Sequence, residues 1–417
     1  EIASLRPRTR PSTVQRAAVA ATVPDASAVD AALDEAAADI GPDEEARSEA
    51  VTASLKPQLR PGNLRTVVRR EAPQAQPQPQ PRAAAPRIPS SASVARAATA
   101  RNAVNMRQVN LIGVYDVNTH RCQEIAAASG CQAFTSLSQL LKRVQAVSIA
   151  VPTDQHFPVA AQAVEHGCHL FVEKPITATS KQAQELISLS DRAKVVLQVG
   201  HIERFNPAFL ALEGYPLAPM FVESHRLSQF NPRGLDVSVV LDLMIHDIDI
   251  VLSLIKAPLD SIQACGVGVV SGSEDIANAR LEFANGAVAN LTASRISAKD
   301  MRKTRLFQQS AYLAIDFLKQ KSEIVHLSQD PAPENGETSC IGHIGVGEQS
   351  QSIFLRTPRP VSTNALEQEL ISFACSISSG SRPVVDGRDG LRALQTAETI
   401  LQEMSRRHEL ATQKAGL

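Results

Sequence analysis

Two short strings in this 417-residue chain carry side chains able to move a proton and steady a charge. The first, His169-Leu-Phe-Val-Glu-Lys-Pro175, reads as an apolar strand that delivers Glu173 and Lys174 at its carboxyl end. The second, Asp242-Leu-Met-Ile-His246, sets an acid and a histidine four residues apart, on one face if the segment is helical. A lysine and a histidine facing one cavity can take a proton from a hydroxyl while hydride leaves the same carbon. Read in isolation, His246 fits a core or surface histidine as readily as a base.

The elements around these strings alternate. A strand at 109–115 ends at Asp116, a helix follows at 119–129, and a buried strand spans 146–151. Next come a helix from about 157 to 166, a strand at 169–173, a helix at 180–193 and a strand at 194–200. Short apolar runs alternating with amphipathic helices predict a parallel sheet with helices on both faces, and such sheets bind ligands at the carboxyl ends of their strands. Asp116 could accept hydrogen bonds from an adenosine ribose, or simply cap the helix after it. Pro152, Thr153 and His156 end the next strand and could line a cofactor; otherwise His156 is a helix-start residue on the surface.

A second half begins with a strand at 220–227 and a helix at 239–255 that carries Asp242 and His246. Segments 279–283, 288–294, 306–309, 312–317 and 323–327 alternate enough to predict a mostly antiparallel sheet. Helices at 367–378 and 390–406 close the chain, with 386–389 as the entry turn.

Three strings in order, Val172-Glu-Lys-Pro-Ile-Thr177, Leu197-Gln-Val-Gly-His-Ile-Glu-Arg-Phe-Asn-Pro207 and Leu241-Asp-Leu-Met-Ile-His-Asp-Ile-Asp249, resemble the glucose-fructose oxidoreductase, inositol dehydrogenase and MocA family over about residues 100–408. The resemblance implies an α/β fold: a Rossmann-like parallel sheet binding NAD or NADP, then an α/β domain whose open sheet forms a homo-oligomer surface. It implies His246 as general base, Asp242 orienting the ring or binding substrate, and Lys174 bridging nicotinamide ribose and reacting oxygen, its charge stabilising the developing alkoxide. Asp116, Pro152, Thr153, His156, Glu173, Lys174 and Arg204 fall on the cofactor side. Asn206, His225, Arg226 and Arg233 fall on the substrate side. Pocket arginines suit phosphate, which favours a nucleotide sugar over a free sugar; the alternative is that these arginines make surface or interface ion pairs. Gly-His-Ile-Glu-Arg-Phe-Asn-Pro and Phe230-Asn-Pro-Arg-Gly234 are similar to bacterial UDP-N-acetylglucosamine 3-dehydrogenases within the family.

One departure stands out. Gly41, Gly62 and Gly113 are the only glycines in the first 129 residues, so no G-x-G-x-x-G loop precedes the helix at 119–129. The family pattern starts downstream of its first strand and phosphate-binding loop. Loss of that central strand is expected to leave two inner sheet edges unpaired or forced together, and loss of the loop to weaken cofactor binding. The best substitute strand is at 64–70, with no glycine turn after it. A catalytically silent binding or assembly protein is therefore the alternative to an oxidoreductase.

No Phe, Tyr or Trp occurs before Tyr115, and Pro, Gln, Ala and Arg dominate the start of the chain. Such a segment has too little apolar bulk to offset its backbone entropy, about 1–2 kcal/mol per residue, so residues 1–92 are expected to be disordered. Ala3-Ser-Leu-Arg-Pro recurs as Ala53-Ser-Leu-Lys-Pro, a repeated linear element that reads as a tether or an arginine-proline docking motif. The expected domains are then 93–205, a truncated dinucleotide-binding unit, and 206–417, for substrate and assembly. A net charge of -1 argues against a nucleic-acid partner. Six scattered cysteines without Cys-x-x-Cys suggest reduced thiols of a cytoplasmic protein and no metal site, and no apolar run is long enough to span a membrane.

Overall fold

The computed structural model describes residues 109–231, 237–330, 336–345, 350–360 and 362–415. The expectations for residues 1–92, for the substitute strand at 64–70 and for Arg233 lie outside the described residues.

The first half alternates strand and helix: β1 Gly113–Val114, α1 Thr119–Ser129, β2 Gln132–Ala133, α2 Leu137–Leu141, β3 Ala146–Ile149, α3 His156–Glu165, β4 His169–Glu173, α4 Ser180–Ala193 and β5 Leu197–Gly200. Local chemistry sets the boundaries. The Asn118 side chain accepts from Arg121 N to start α1, and Gly130 ends it at φ 63°. Thr179 caps α4 in the same way through Gln182 N. Apolar β4 is wholly buried over Leu170, Phe171 and Val172, as expected of a strand covered on both faces.

The parallel sheet is in two pieces. β1 pairs only with β2, whereas β3, β4 and β5 form a separate three-stranded sheet. Among the described residues no strand joins β1 to β3, which is the gap expected from the absent central strand. The same gap corrects the length of the first strand. Residues 109–115 were expected to be extended throughout, yet only Gly113 and Val114 pair, because one edge alone supplies ladder partners.

The second half contains α5 Pro207–Leu210, β6 Phe221–Leu227, a π turn Val240–Met244 continuing into α6 Ile245–Leu254, strands β7 Leu259–Val267, β8 Ile276–Phe283, β9 Val288–Ser294, β10 Met301–Gln308, β11 Ala311–Asp316, β12 Lys321–Ser328, β13 Thr338–Ile344 and β14 Gln351–Arg356, then α7 Ala365–Ser379 and α8 Gly387–Ala415. The strands form one sheet in the order β13-β14-β12-β11-β10-β6-β9-β8-β7, antiparallel except for the β6–β9 pair. Three strands were not foreseen. β7 and β13 are its edges, and β14 joins β13 to β12. Edge strands need no apolar face, so alternation gives little sign of them.

Alternation along β6 sorts its side chains. Val222, Ser224 and Arg226 are buried beneath α6, whereas Phe221, Glu223, His225 and Leu227 occupy the opposite face. The core between α6 and the sheet includes Met244, Ile245, Ile248, Leu281, Leu291, Leu306 and Leu313. α8 packs against both halves, and its first turn lies close on β5: a Cβ at Gly390 would sit 2.7 Å from Val199 Cγ2, and one at Gly387 2.6 Å from Leu197 Cδ2. At Gly390 a side chain would force β-branched Val199 to shift, and at Gly387 the Leu197 side chain would have to give way.

Candidate active site

β4 delivers Lys174 to the π turn. Its Nζ donates to the Asp242 backbone carbonyl at 2.7 Å and to Asp242 Oδ1 at 3.1 Å. A π turn interrupts the regular helical ladder, and such turns gather at functional sites. Here it holds the lysine that the sequence placed 68 residues away. Asp242 therefore has Lys174 as its partner; the family resemblance implied that it orients the His246 ring or binds substrate.

His246 stands at the start of α6, with Nδ1 buried and without a hydrogen-bond partner. Burial pushes its pKa well below the ordinary histidine value, and the charges of Lys174, Arg226, His201 and Arg302 push it further the same way. The imidazole is thus neutral and able to accept a proton, beside a lysine at the end of a parallel strand. Proton abstraction from a hydroxyl is what this pair can do.

Behind it lies a buried polar cluster. β4 and β5 run in register with Glu173 opposite Gly200, so Lys174 and His201 leave the sheet at the same level. His201 is 1% exposed, neither ring nitrogen has a partner, and burial first, then the Arg204 and Lys174 charges, lower its pKa against the pull of Asp249. Burial raises the pKa of Glu173, opposed by Lys174. Glu369 of α7 is raised well above its usual value by burial and by the nearby Glu173 and Asp249 carboxylates. His201 was legible as a polar residue directly after a buried strand; Glu369 gave no such sign, lying mid-helix far along the chain.

Four residues expected to meet ligand are committed elsewhere. Arg226, 3% exposed, gives Nε and Nη2 to Asp247 at 2.8 and 3.2 Å and Nη1 to Glu203 at 2.8 Å. Burial opposes its charge, but the two carboxylates prevail and raise its pKa. It anchors β6 to α6 through Asp247 and is fully engaged by two carboxylates. Arg204 makes a two-bond fork onto Asp249 at 2.7 and 3.1 Å, so its guanidinium is not open to a cofactor. Asn206 caps α5 through Ala208 N and donates to Glu203 and to the Phe317 carbonyl. His156 is 1% exposed, Nδ1 lying 2.8 Å from the Pro175 carbonyl and Nε2 3.0 Å from that of Val151. Burial lowers its pKa, and its two ring contacts tie the loop after β3 to the loop that follows Lys174.

His225 is corrected by the pleat: it lies on the sheet face opposite Ser224 and Arg226, beside Glu223, Cys265 and Arg280. A period of two cannot say which face the helix carrying His246 covers. Of the cofactor-side residues, Pro152 is exposed and Thr153, Glu173, Lys174 and Arg204 are partly so, Arg204 being paired with Asp249. Asp116 is 7% exposed and accepts from Asn118 N at 2.9 Å, just before the cap of α1. Arg302, passed over in the sequence, stands opposite Arg226 in the β10–β6 ladder.

A nicotinamide dinucleotide fits at one end of this arrangement. The orphaned nitrogens of His201 and His246 and the ammonium of Lys174 collect at the carboxyl ends of β4 and β5, where such sheets receive a nicotinamide. No glycine cradle for its phosphates is present among the described residues.

Comparison with known proteins agrees with this geometry. A family model described as "Oxidoreductase family, NAD-binding Rossmann fold" matches residues 92–201, and the "GFO/IDH/MocA C-terminal domain" matches residues 217–311. The UDP-N-acetylglucosamine 3-dehydrogenase of Acidithiobacillus ferrooxidans is 38% identical over 289 residues, covering 69% of this chain and 87% of that protein. Its solved structure superposes with a TM-score of 0.66, covering 74% of this chain and 93% of that one. An inositol 2-dehydrogenase of Rhizobium meliloti is 24% identical over 72% of this chain and 91% of its own length. A levoglucosan dehydrogenase, 16% identical with a TM-score of 0.62, shares the fold. These relatives give no support to the catalytically silent alternative. The chain belongs to the glucose-fructose oxidoreductase, inositol dehydrogenase and MocA family, and is an oxidoreductase of that family with an NAD-binding Rossmann fold.

Proposed function

We propose that this enzyme oxidises, reversibly, a ring hydroxyl of a nucleotide-linked sugar of the UDP-N-acetylglucosamine type. The observation that carries the reading is the neutral, buried His246 beside a lysine held on the Asp242 π turn. His246 takes the hydroxyl proton and later releases it to solvent. Lys174 donates to the same oxygen and stabilises negative charge as the carbonyl forms. The nicotinamide, when bound, accepts the hydride from the ring carbon. Asp242 fixes the ammonium and so orients it. Asp116, at the end of β1, is read as the acceptor for the adenosine ribose hydroxyls, with Pro152 and Thr153 bordering the cofactor. Residues 93–205 serve the cofactor and 206–417 the substrate.

The same proposal includes self-association through the sheet face opposite α6. That face carries Phe221, Phe307 and Tyr312 in ring contact at 5.5 and 5.0 Å, an apolar patch of the kind that pairs copies of a chain. No helix among the described residues is long and apolar enough to cross a membrane, and all six cysteines are free, which suits a cytoplasmic setting.

The test is NADH formation on UDP-N-acetylglucosamine, myo-inositol and free N-acetylglucosamine, with His246→Ala and Lys174→Ala alongside. Loss of the base is expected to slow turnover about 10²–10⁴-fold. Loss of Lys174 should reduce both turnover and cofactor affinity. Near-parent turnover in both variants would refute the assignment, and a parent active only on inositol would replace the substrate class.

A further inference from the structure

Two arginines stand opposite one another across β6 and β10 with unequal commitments. β10 runs antiparallel to β6 with Arg302 opposite Arg226, so both lie on the sheet face that α6 covers. Arg226 is the inward one, its guanidinium satisfied by Asp247 and Glu203. Arg302 is the outward one. Its side chain is 48% exposed, and its ion-pair partner is Glu203 at the long distance of 3.8 Å. That carboxylate is already engaged: Oε1 holds Arg226 at 2.8 Å and Oε2 accepts from Asn206 at 2.9 Å. Among the described residues, Lys174 is paired with Asp242 and Arg204 with Asp249.

We infer that Arg302 receives the phosphate-bearing part of the substrate at the mouth of the Lys174–His246 site, and so selects a nucleotide-linked sugar over a neutral one. The inference rests on the reading of Lys174 and His246 as the reacting centre. A guanidinium is planar, always charged and able to give two parallel hydrogen bonds to a phosphate. It needs freedom from tight local carboxylates to do so, and of this arginine pair only Arg302 has it. Its position is fixed by its surroundings. Asp300 Oδ1 accepts from Gln229 N at 2.9 Å, and Gln229 Nε2 donates to the Ala298 carbonyl at 3.2 Å. These bonds join the segment after β6 to the one before β10 and set the first residues of β10 as a wall. Arg302 is also near enough for its charge to act on His246. A sugar carbon presented to His246 would therefore carry its phosphate-linked end within reach of the rim. Arg226 cannot share the task without abandoning two buried carboxylates.

The experiment compares the full chain with Arg302→Gln and Arg302→Lys, measuring kcat and KM for UDP-N-acetylglucosamine, kcat/KM for free N-acetylglucosamine, and inhibition by UDP alone. Arg302→Gln should raise KM for the UDP-sugar and the inhibition constant of UDP together by about 10–100-fold, as expected for loss of a charged hydrogen bond. The change should fall on KM far more than on kcat, and the loss on the neutral sugar should be smaller. Arg302→Lys should recover part of the UDP affinity, since charge survives but the fork does not. An Arg302→Gln enzyme whose UDP inhibition and UDP-sugar KM stay within about twofold of the parent (a change under about 0.4 kcal/mol) would overturn the inference, as would equal losses on both sugars. Failure of the parent itself to act on the UDP-sugar would instead refute the proposed function. Should Arg302→Gln not fold, UDP titration of Arg302→Lys decides, because unchanged UDP affinity there would also overturn the role.

Discussion

Glu369→Gln offers a direct measure of how strongly the fold works against a buried carboxylate behind the active site. Glu369 is 1% exposed on α7, and its Oε1 has no hydrogen-bond partner. Burial first, then the Glu173 and Asp249 carboxylates, raise its pKa well above 4.5. The unfolded chain ionises this group near its ordinary value while the folded chain keeps the proton. Folding therefore takes up a proton in that window. Its contribution is fully present below about pH 4.5 and is lost as pH rises through the folded pKa. While the pH lies between the two values, each unit removes about 1.4 kcal/mol, and two units remove about 2.7 kcal/mol. Glutamine has nearly the same shape, cannot ionise, and can offer its amide to the neighbouring carboxylates. The variant should thus match the parent near pH 4.5 and become the more stable of the two as pH rises towards 7, with a Tm gap of several degrees. Thermal scans of both proteins at pH 4.5, 5.5, 6.5 and 7.5 supply the data. A gap that is independent of pH, or that narrows as pH rises, would refute the reasoning.

Other consequences follow from the same geometry. His246 is pushed the opposite way, so the acid limb of kcat/KM should lie well below pH 6.5; a limb at or above 6.5 in a pH–rate profile would contradict a buried base among cations. By the sign of the same shift, the unfolded chain gains a proton below about pH 6.5 that folded His246 refuses, so stability should fall on acidification through that value. Arg226→Ala would leave buried Asp247 without its cation and Glu203 with only the long Arg302 contact, costing about 3–5 kcal/mol in urea unfolding; a loss under about 1 kcal/mol would mean the network is better hydrated than its burial indicates. Asp242→Asn should keep the carbonyl bond to Lys174 and lose the charged one, lowering kcat/KM by about 10–100-fold; unchanged kinetics would make Asp242 a bystander.

Much of the candidate site was legible in the sequence because it depends on order along strands. A buried strand ending in Glu173-Lys174 must present its last polar residues at the carboxyl edge, whatever surrounds it. Val239 to Ile255 is apolar enough to be helical, which put Asp242 and His246 on one element. The missing glycine loop was likewise visible in the composition, and it foretold that the parallel sheet would be in two pieces. Tertiary structure alone decided which polar residues are free. Arg226, Arg204, Asn206 and His156 read as ligands because their types suit phosphates and riboses, yet each found a carboxylate or carbonyl from a distant part of the chain. A buried charge without such a partner costs several kcal/mol, so the fold commits it, and no local pattern names the partner. The same held for His225 and Arg302: alternation fixes that neighbours point apart, but only the packing of α6 decides which face lies under the helix that carries His246.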